Sequence, residues 1–317
     1  MKKITLQDGS VRFVGGRKRP VARGPRLELR RYLDLGSLPP LPVSVDYSPA
    51  ARVPLSQAYL NDQLGDCVVA AMAHLVGLFT GNAGAAPVVF TQQQIIALYS
   101  AIGGYVPGNQ STDLGCNEQD ALSFWMNHGA PIGSHQIAGW LAVDPNNLNE
   151  VKAAAYLFEN LFFGIELPDA WTTISSSGFV WDAGTPDPQN GHAVISTGYN
   201  AQGIQIDTWG LIGTMTWPAL ARDVIAQSGG ELYTVISQDV INRATNKTPA
   251  GLNWQQLVSD FDAIGGHLPI PSPSPAPAPA PAPAPVPPAP SPAPGVPTKA
   301  QVLAAIQNAI NGFSWPA

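Results

Sequence analysis

Residues 61–76 read NDQLGDCVVAAMAHLV, and how this stretch is understood decides the fold. It sets one of only two cysteines directly after Gly65-Asp66 and directly before a run of small apolar residues. Asp66 has the chemistry of a helix N-cap, and CVVAAMAHLVGLF (67–79) after it reads as a helix. Cys67 then falls in the first turn, where orphan N–H groups and the positive end of the helix dipole favour a thiolate. Gly65 has no Cβ, so another backbone can approach closely. The competing reading is a small buried hydrophobe that happens to contain sulfur. The segment alone leaves both open.

A thiolate nucleophile needs a base, and the chain has five histidines. His74 lies seven residues further along the same helix, roughly 10 Å away at 1.5 Å per residue, too far for a hydrogen bond. His128 sits in NHGAP at a helix C-terminus, His135 in an unpatterned loop, and His267 beside a proline run. His192 differs: it opens a strand in NGHAVISTGYN, which a turn connects to a second strand, IQIDTWG. If the turn centres on Tyr199-Asn200, His192 faces Asp207 and their side chains can meet. Asp207 then holds one ring nitrogen while the other faces Cys67. If it centres on Ala201-Gln202, the pair is offset by four residues and cannot bond. The sequence GYN makes the first register the expected one.

Outward from these segments, about residues 40–268 read as the folded domain. Its first half has helical periodicity at 67–80, 91–102, 118–129 and about 147–159. Its second half alternates apolar and polar residues at 160–167, 192–199, 204–209 and 231–237. Helices first and strands second is an α+β pattern with segregated lobes. Of 317 residues 45% are hydrophobic and 12% charged, ample for a core. No apolar run reaches the length of a membrane span. The N-terminus has no apolar signal-peptide region, so a cytoplasmic protein is expected.

The two ends are different in kind. Residues 1–31 carry ten Lys/Arg against two acids, +8, while the remainder carries six against twenty, −14. A largely disordered basic arm over 1–39 is expected. An arm docked on its own acidic domain is the alternative, and no nucleic-acid motif accompanies its arginines. Residues 269–297 hold 15 prolines in 29 positions, a polyproline-II spacer that could reach on the order of 90 Å. Beyond it Val302, Leu303, Ile306 and Ile310 are spaced for a short C-terminal helix over 298–317, a candidate docking peptide for an unknown protein.

At this point the residues carry a resemblance. QLGDCVVAA, then GHAVISTGY with its histidine 125 residues after the cysteine, then IDTWG, together resemble the papain-like cysteine peptidases. The segment DLGCNEQDALSFWMNHGAP is similar to bacterial members. The resemblance spans roughly residues 42–238. It implies a two-lobe fold, with the cysteine opening the central helix of one lobe and the histidine coming from the β lobe. It implies Cys67 as nucleophile, His192 as base and then acid, Asp207 as the group orienting the imidazole, and Trp209 as its shield from water. The implied reaction is peptide hydrolysis through a thioester on a peptide or protein substrate, as a cysteine-type endopeptidase. Trp171 and Trp181 would line the rim.

Three positions depart from the pattern. The family's oxyanion glutamine stands six residues before the cysteine; here that residue is Asn61, and the only nearby glutamine is Gln63. Either could supply the second oxyanion donor beside the Cys67 N–H. Asp207 replaces the family's asparagine. The N-terminal region is too short for the long inhibitory prosegment, a task the basic arm could share. Cys116 reads as a structural free thiol. Other papain-fold readings remain: a leader peptidase, a transglutaminase-like acyl transferase, or an inactive binding module. No cofactor or metal is expected, since no ligand-spaced His/Cys cluster and no phosphate loop is present.

Overall fold

The computed structural model describes residues 1–21, 27–31, 40–174 and 176–239. The Pro/Ala spacer, the C-terminal helix and the last part of the 40–268 domain lie outside the described residues. The chain opens with strands β1 (Lys2–Thr5) and β2 (Val11–Val14), which form an antiparallel hairpin. A short strand β3 (Val45–Asp46) leads into the helices α1 (Cys67–Asn82), α2 (Gln92–Gly103) and α3 (Glu118–His128). Then come β4 (Ile137–Ala142), α4 (Leu148–Phe158), β5 (Phe162–Glu166) and β6 (Val180–Trp181). The remainder is β7 (Gly191–Tyr199), β8 (Gly203–Thr208), β9 (Leu211–Thr216), α5 (Trp217–Asp223) and β10 (Glu231–Ser237). The helices-then-strands expectation is met. β4, β9 and α5 are additions: β4 reads IAGWLA, whose glycine and alanines carry little strand propensity.

The main sheet runs β4-β10-β5-β7-β8-β9-β6, with β3 paired to β7. It is antiparallel except where β6 joins β9. Its period-two alternation separates two cores. Phe162, Ala193, Ile195, Tyr233 and Val235 turn toward the α1–α3 lobe. Phe163, Ile165, Val194, Leu232 and Ile236 turn toward the other side, where α4 and α5 pack. Helix α1 is the axis of the helical lobe, with every residue from Cys67 to Gly81 buried. A helix apolar on all faces can only be central. Gly77 and Gly81 allow this, because a Cβ at Gly77 would fall 2.3 Å from Pro54 and one at Gly81 2.4 Å from the Ala50 carbonyl.

The arm differs from the disordered expectation over residues 1–21. The β1–β2 hairpin buries Ile4, Leu6 and Val14 in the β-lobe core. From there residues 13–19 run as a strap between the two lobes. On the helical-lobe side, Phe13 N–H donates to Asn61 O (3.0 Å) and Cys116 N–H to Gly16 O (2.9 Å). Lys18 N–H returns a bond to Cys116 O at 2.8 Å. On the other side, Gly191 O accepts from Gly15 N–H and Arg17 N–H at 2.9 and 3.2 Å. The docked alternative thus describes this part of the arm. Among the described residues no helix is long and apolar enough to cross a membrane.

Candidate active site

Cys67 begins α1 as expected, and Asp66 occupies the N-cap position. Asp66 makes no capping hydrogen bond through its side chain. The thiol is not on a solvated helix end either: Cys67 is 1% exposed. Burial pushes its pKa up to about 12, although the Ala193 N–H bonds the sulfur. Desolvation therefore outweighs the helix dipole, and with the strap in place Cys67 is a thiol. Through Ala193 the sulfur lies beside the strand position next to His192.

His192 is buried near the start of β7, and burial pushes its pKa down to about 3. It is a neutral imidazole. Its Nε2 is bonded to Thr208 Oγ1 at 2.7 Å, and among the described residues its buried Nδ1 has no hydrogen-bond partner. A Thr208-bound Nε2–H leaves the lone pair on Nδ1, the arrangement a proton acceptor needs.

The expected His192–Asp207 pairing is not formed. The β7–β8 loop centres on Ala201-Gln202, because Asn200 Oδ1 accepts from Gln202 N–H and Gly203 N–H (2.8 and 3.1 Å) and fixes the turn there. A bulge between Ser196 and Gly198 then shifts the register, so that Asp207 lies opposite Ile195. A one-residue slip turns each side chain to the other face of a sheet. Asp207 accordingly points toward α1, where its Oδ2 is 4.0 Å from His74 Nε2. Burial pushes Asp207 well above the usual carboxylate range and His74 down to about 4. The two are therefore neutral neighbours rather than an ion pair. His74 Nε2 instead donates to the Gln57 carbonyl at 2.8 Å. Sequence reasoning missed Thr208, and the Asn200 turn signal was the clue that would have reversed the register.

Trp209 lies where a shield would, its ring 4.6 Å from that of His192. It is half of the two-residue Trp209-Gly210 turn joining β8 to β9, with φ of 55° and 79°. Both values suit the hairpin turn, but a tryptophan there is strained. Its packing on His192 and Trp181 holds it in place. Trp171 and Trp181 are buried and stacked at 5.0 Å, so they back Trp209 from the interior and do not form a rim.

Neither expected oxyanion donor points to the thiol. The Asn61 amide donates to Leu64 O at 3.0 Å, bracing the loop before Cys67. Gln63 is exposed and lines a surface hollow with Tyr59, Phe90 and Gln92. Cys116 and Cys67 are both free thiols. Among the described residues no group of three His, Cys, Asp or Glu is arranged to hold a metal ion.

No family model and no curated protein matches the sequence. Solved structures do match the fold. Xylellain, a cysteine protease from Xylella fastidiosa, superposes with a TM-score of 0.51 at 16% identity, covering 74% of this chain and 98% of its own. Digestive procathepsin L2 proteinase from Tenebrio molitor larval midgut does so with a TM-score of 0.50 at 13% identity, covering 71% and 78%. With its cysteine-led central helix, its histidine strand and the α+β division between them, this chain has the papain-like fold.

Proposed function

We propose that the protein is a latent cysteine peptidase in which Cys67 and His192 do the chemistry, Thr208 orients the imidazole and the N-terminal strap closes the cleft. The observation that carries this is the placement of a buried thiol at the start of α1 beside the strand bearing a neutral His192. That imidazole is fixed through Nε2, open at Nδ1 and covered by Trp209. In the reaction Sγ attacks the peptide carbonyl carbon as its proton passes to His192 Nδ1. The resulting imidazolium protonates the leaving amine as the C–N bond breaks, leaving a thioester. Water, deprotonated by His192, then cleaves the thioester and restores the thiol. The first-turn N–H of Cys67 serves as one oxyanion donor. Asp207 and Asn61 act as structural supports in this scheme.

Latency follows from the strap, because Gly16 packs against Gly65 and Arg17 O against Gly191, the residue before His192. A peptide cannot enter while residues 13–18 hold those backbone groups. The test is hydrolysis of a mixed quenched-fluorescence peptide pool by the full chain and its Arg17→Ala variant. Activity is expected in the variant and is expected to vanish when Cys67→Ala or His192→Ala is added. An open, folded variant with no Cys67-dependent turnover would retire the reading in favour of a binding module.

A further inference from the structure

The strap reaches across the cleft with one side chain wholly buried. Arg17 enters a pocket between β5, α3 and the start of β10, with its side chain 0% exposed. Its Nη1 donates to Gly229 O and its Nη2 to Glu231 Oε1, both at 2.7 Å. Glu231 is braced in turn by Tyr233 Oη–H at 2.5 Å and the Gln119 amide at 3.3 Å. Gly164 forms the wall, and a Cβ there would lie 2.1 Å from Arg17 Nε. The cavity is thus shaped for a flat guanidinium, and two carboxyl groups line it.

Arg17 does not use all that the pocket offers. Among the described residues its Nε has no hydrogen-bond partner and the fully buried Glu118 accepts no hydrogen bond. Burial keeps Glu118 protonated, and its carboxyl is hydrogen-bonded to Glu231 rather than to the guanidinium. The closest approach between Nε and Glu118 Oε1 is 3.9 Å, beyond bonding distance. Unmet polar groups at this depth are costly. The strap leaves the guanidinium about 1 Å short of hydrogen-bonding distance from Glu118. An arginine entering on a free peptide can close that gap.

We infer that this pocket is the substrate-specificity site of the cleft, and that it selects an arginine side chain in the peptide that replaces the strap. The inference rests on the peptidase reading for its role, but not for its binding chemistry. A peptide in the cleft meets the same backbone groups as the strap, Cys116 N–H and O and Gly191 O, and so presents one side chain at the pocket. Lysine is a poorer fit, since one ammonium cannot bridge Gly229 O, Glu231 and Glu118 at once. A neutral side chain leaves Glu231 buried without its cation.

The experiment uses full-length Arg17→Ala protein and three heptapeptides spanning residues 13–19, carrying arginine, citrulline or leucine at the position of Arg17. Binding is read as a saturable rise in Tm. The arginine peptide is expected to bind on the order of 100-fold more tightly than the other two, with the difference lost in Arg17→Ala/Glu231→Gln. Equal binding of all three, or none by the arginine peptide, overturns the proposal. A peptide-pool digest by the same variant separates the two readings. Turnover without arginine preference removes the pocket proposal and leaves the peptidase. Selective binding of the arginine peptide without turnover keeps the pocket and removes the peptidase. Should Arg17→Ala not fold, Arg17→Lys replaces it; the arginine peptide is then expected to displace the lysine strap while the citrulline peptide does not.

Discussion

His192 Nε2 and Thr208 Oγ1 are 2.7 Å apart in the interior, and this hydroxyl occupies the position that orients the imidazole. A hydroxyl can bond Nε2 in either tautomer, so it holds the ring's orientation and accepts from Nε2–H when Nδ1 carries the lone pair, but it stabilises an imidazolium less than a carboxylate does. Thr208→Val is therefore expected to lower kcat of the strap-opened Arg17→Ala chain by roughly tenfold or more. It should also move the acid limb of the kcat/KM profile, which a purely structural lesion would not. Thr208→Ser should restore both. Asp207→Asn should leave that profile unchanged. The opposite pattern, with Asp207→Asn shifting the profile and Thr208→Val silent, would return the orienting role to Asp207.

Cys67 supplies the second prediction. Its thiol is buried and its pKa pushed up to about 12, so in the intact chain iodoacetamide should modify it slowly at pH 7. The rate should be about 100-fold or more below that of an ordinary thiol of pKa about 8.5. Arg17→Ala should accelerate Cys67 while Cys116, also buried, stays protected as an internal control. Mass spectrometry of chymotryptic peptides separates them, since Phe79, Phe90 and Tyr99 lie between the two cysteines. Fast labelling of Cys67 in the unaltered chain would show that the strap does not seal the site.

Much of this was legible in the sequence because the decisive elements are strongly patterned. The small apolar run after Cys67 could only be a buried helix, and the alternation through residues 192–199 could only be a strand with one face on that helix. Asp207 was misplaced because the register depends on where a loop turns and on a bulge at residues 196–198, neither of which alternation reveals. The strap was hidden because a basic, glycine-rich segment has the composition of a disordered arm. Its order comes from long-range partners, Gly191, Cys116 and the buried pair Glu118 and Glu231, which lie 98 to 214 residues away along the chain. The two adjacent glycines of VGGRKR were the one local clue, since they allow the backbone to pass against Gly65 and Gly115.

The pH dependence of stability carries a third expectation. Burial lowers the folded-state pKa of His192 from 6.5 to about 3, so between these values the unfolded chain binds a proton that the folded chain refuses. The contribution is fully present above pH 6.5 and is lost as pH falls through that window. At 1.36 kcal/mol per pH unit, the loss between pH 6.5 and 4.5 is about 2 to 3 kcal/mol. Asp66, Glu118 and Asp207 are pushed up by burial and act in the opposite sense, so the whole protein's curve mixes both signs. Comparison with His192→Gln isolates the histidine. The unaltered protein should lose about 2 to 3 kcal/mol more than the variant over that range, measured by urea unfolding. Parallel curves would mean that His192 is solvated in the folded state.

Gly164 gives the last prediction, because it touches the strap without belonging to the proposed chemistry. An alanine Cβ there would meet Arg17 Nε at 2.1 Å and Glu118 Oε1 at 2.7 Å, and neither has room to retreat in a buried pocket. Overpacking of this kind costs about 1–3 kcal/mol. The guanidinium can relieve it by leaving the pocket, while the β5 backbone, held on both sides by β7 and β10, cannot move. The cost should therefore fall on strap docking. Trypsin is the readout, since the bonds after Arg17 and Lys18 are cleavage sites guarded by that docking. Cleavage tracks the population of the opened strap when closing is fast. Gly164→Ala should thus be cut roughly 5- to 100-fold faster within residues 17–19. Its circular dichroism should be unchanged, and Cys67 labelling should rise in parallel. If cleavage stays at the rate of the unaltered chain while the melting temperature drops, the clash is relieved inside the sheet, and Arg17 is not the lock of the cleft.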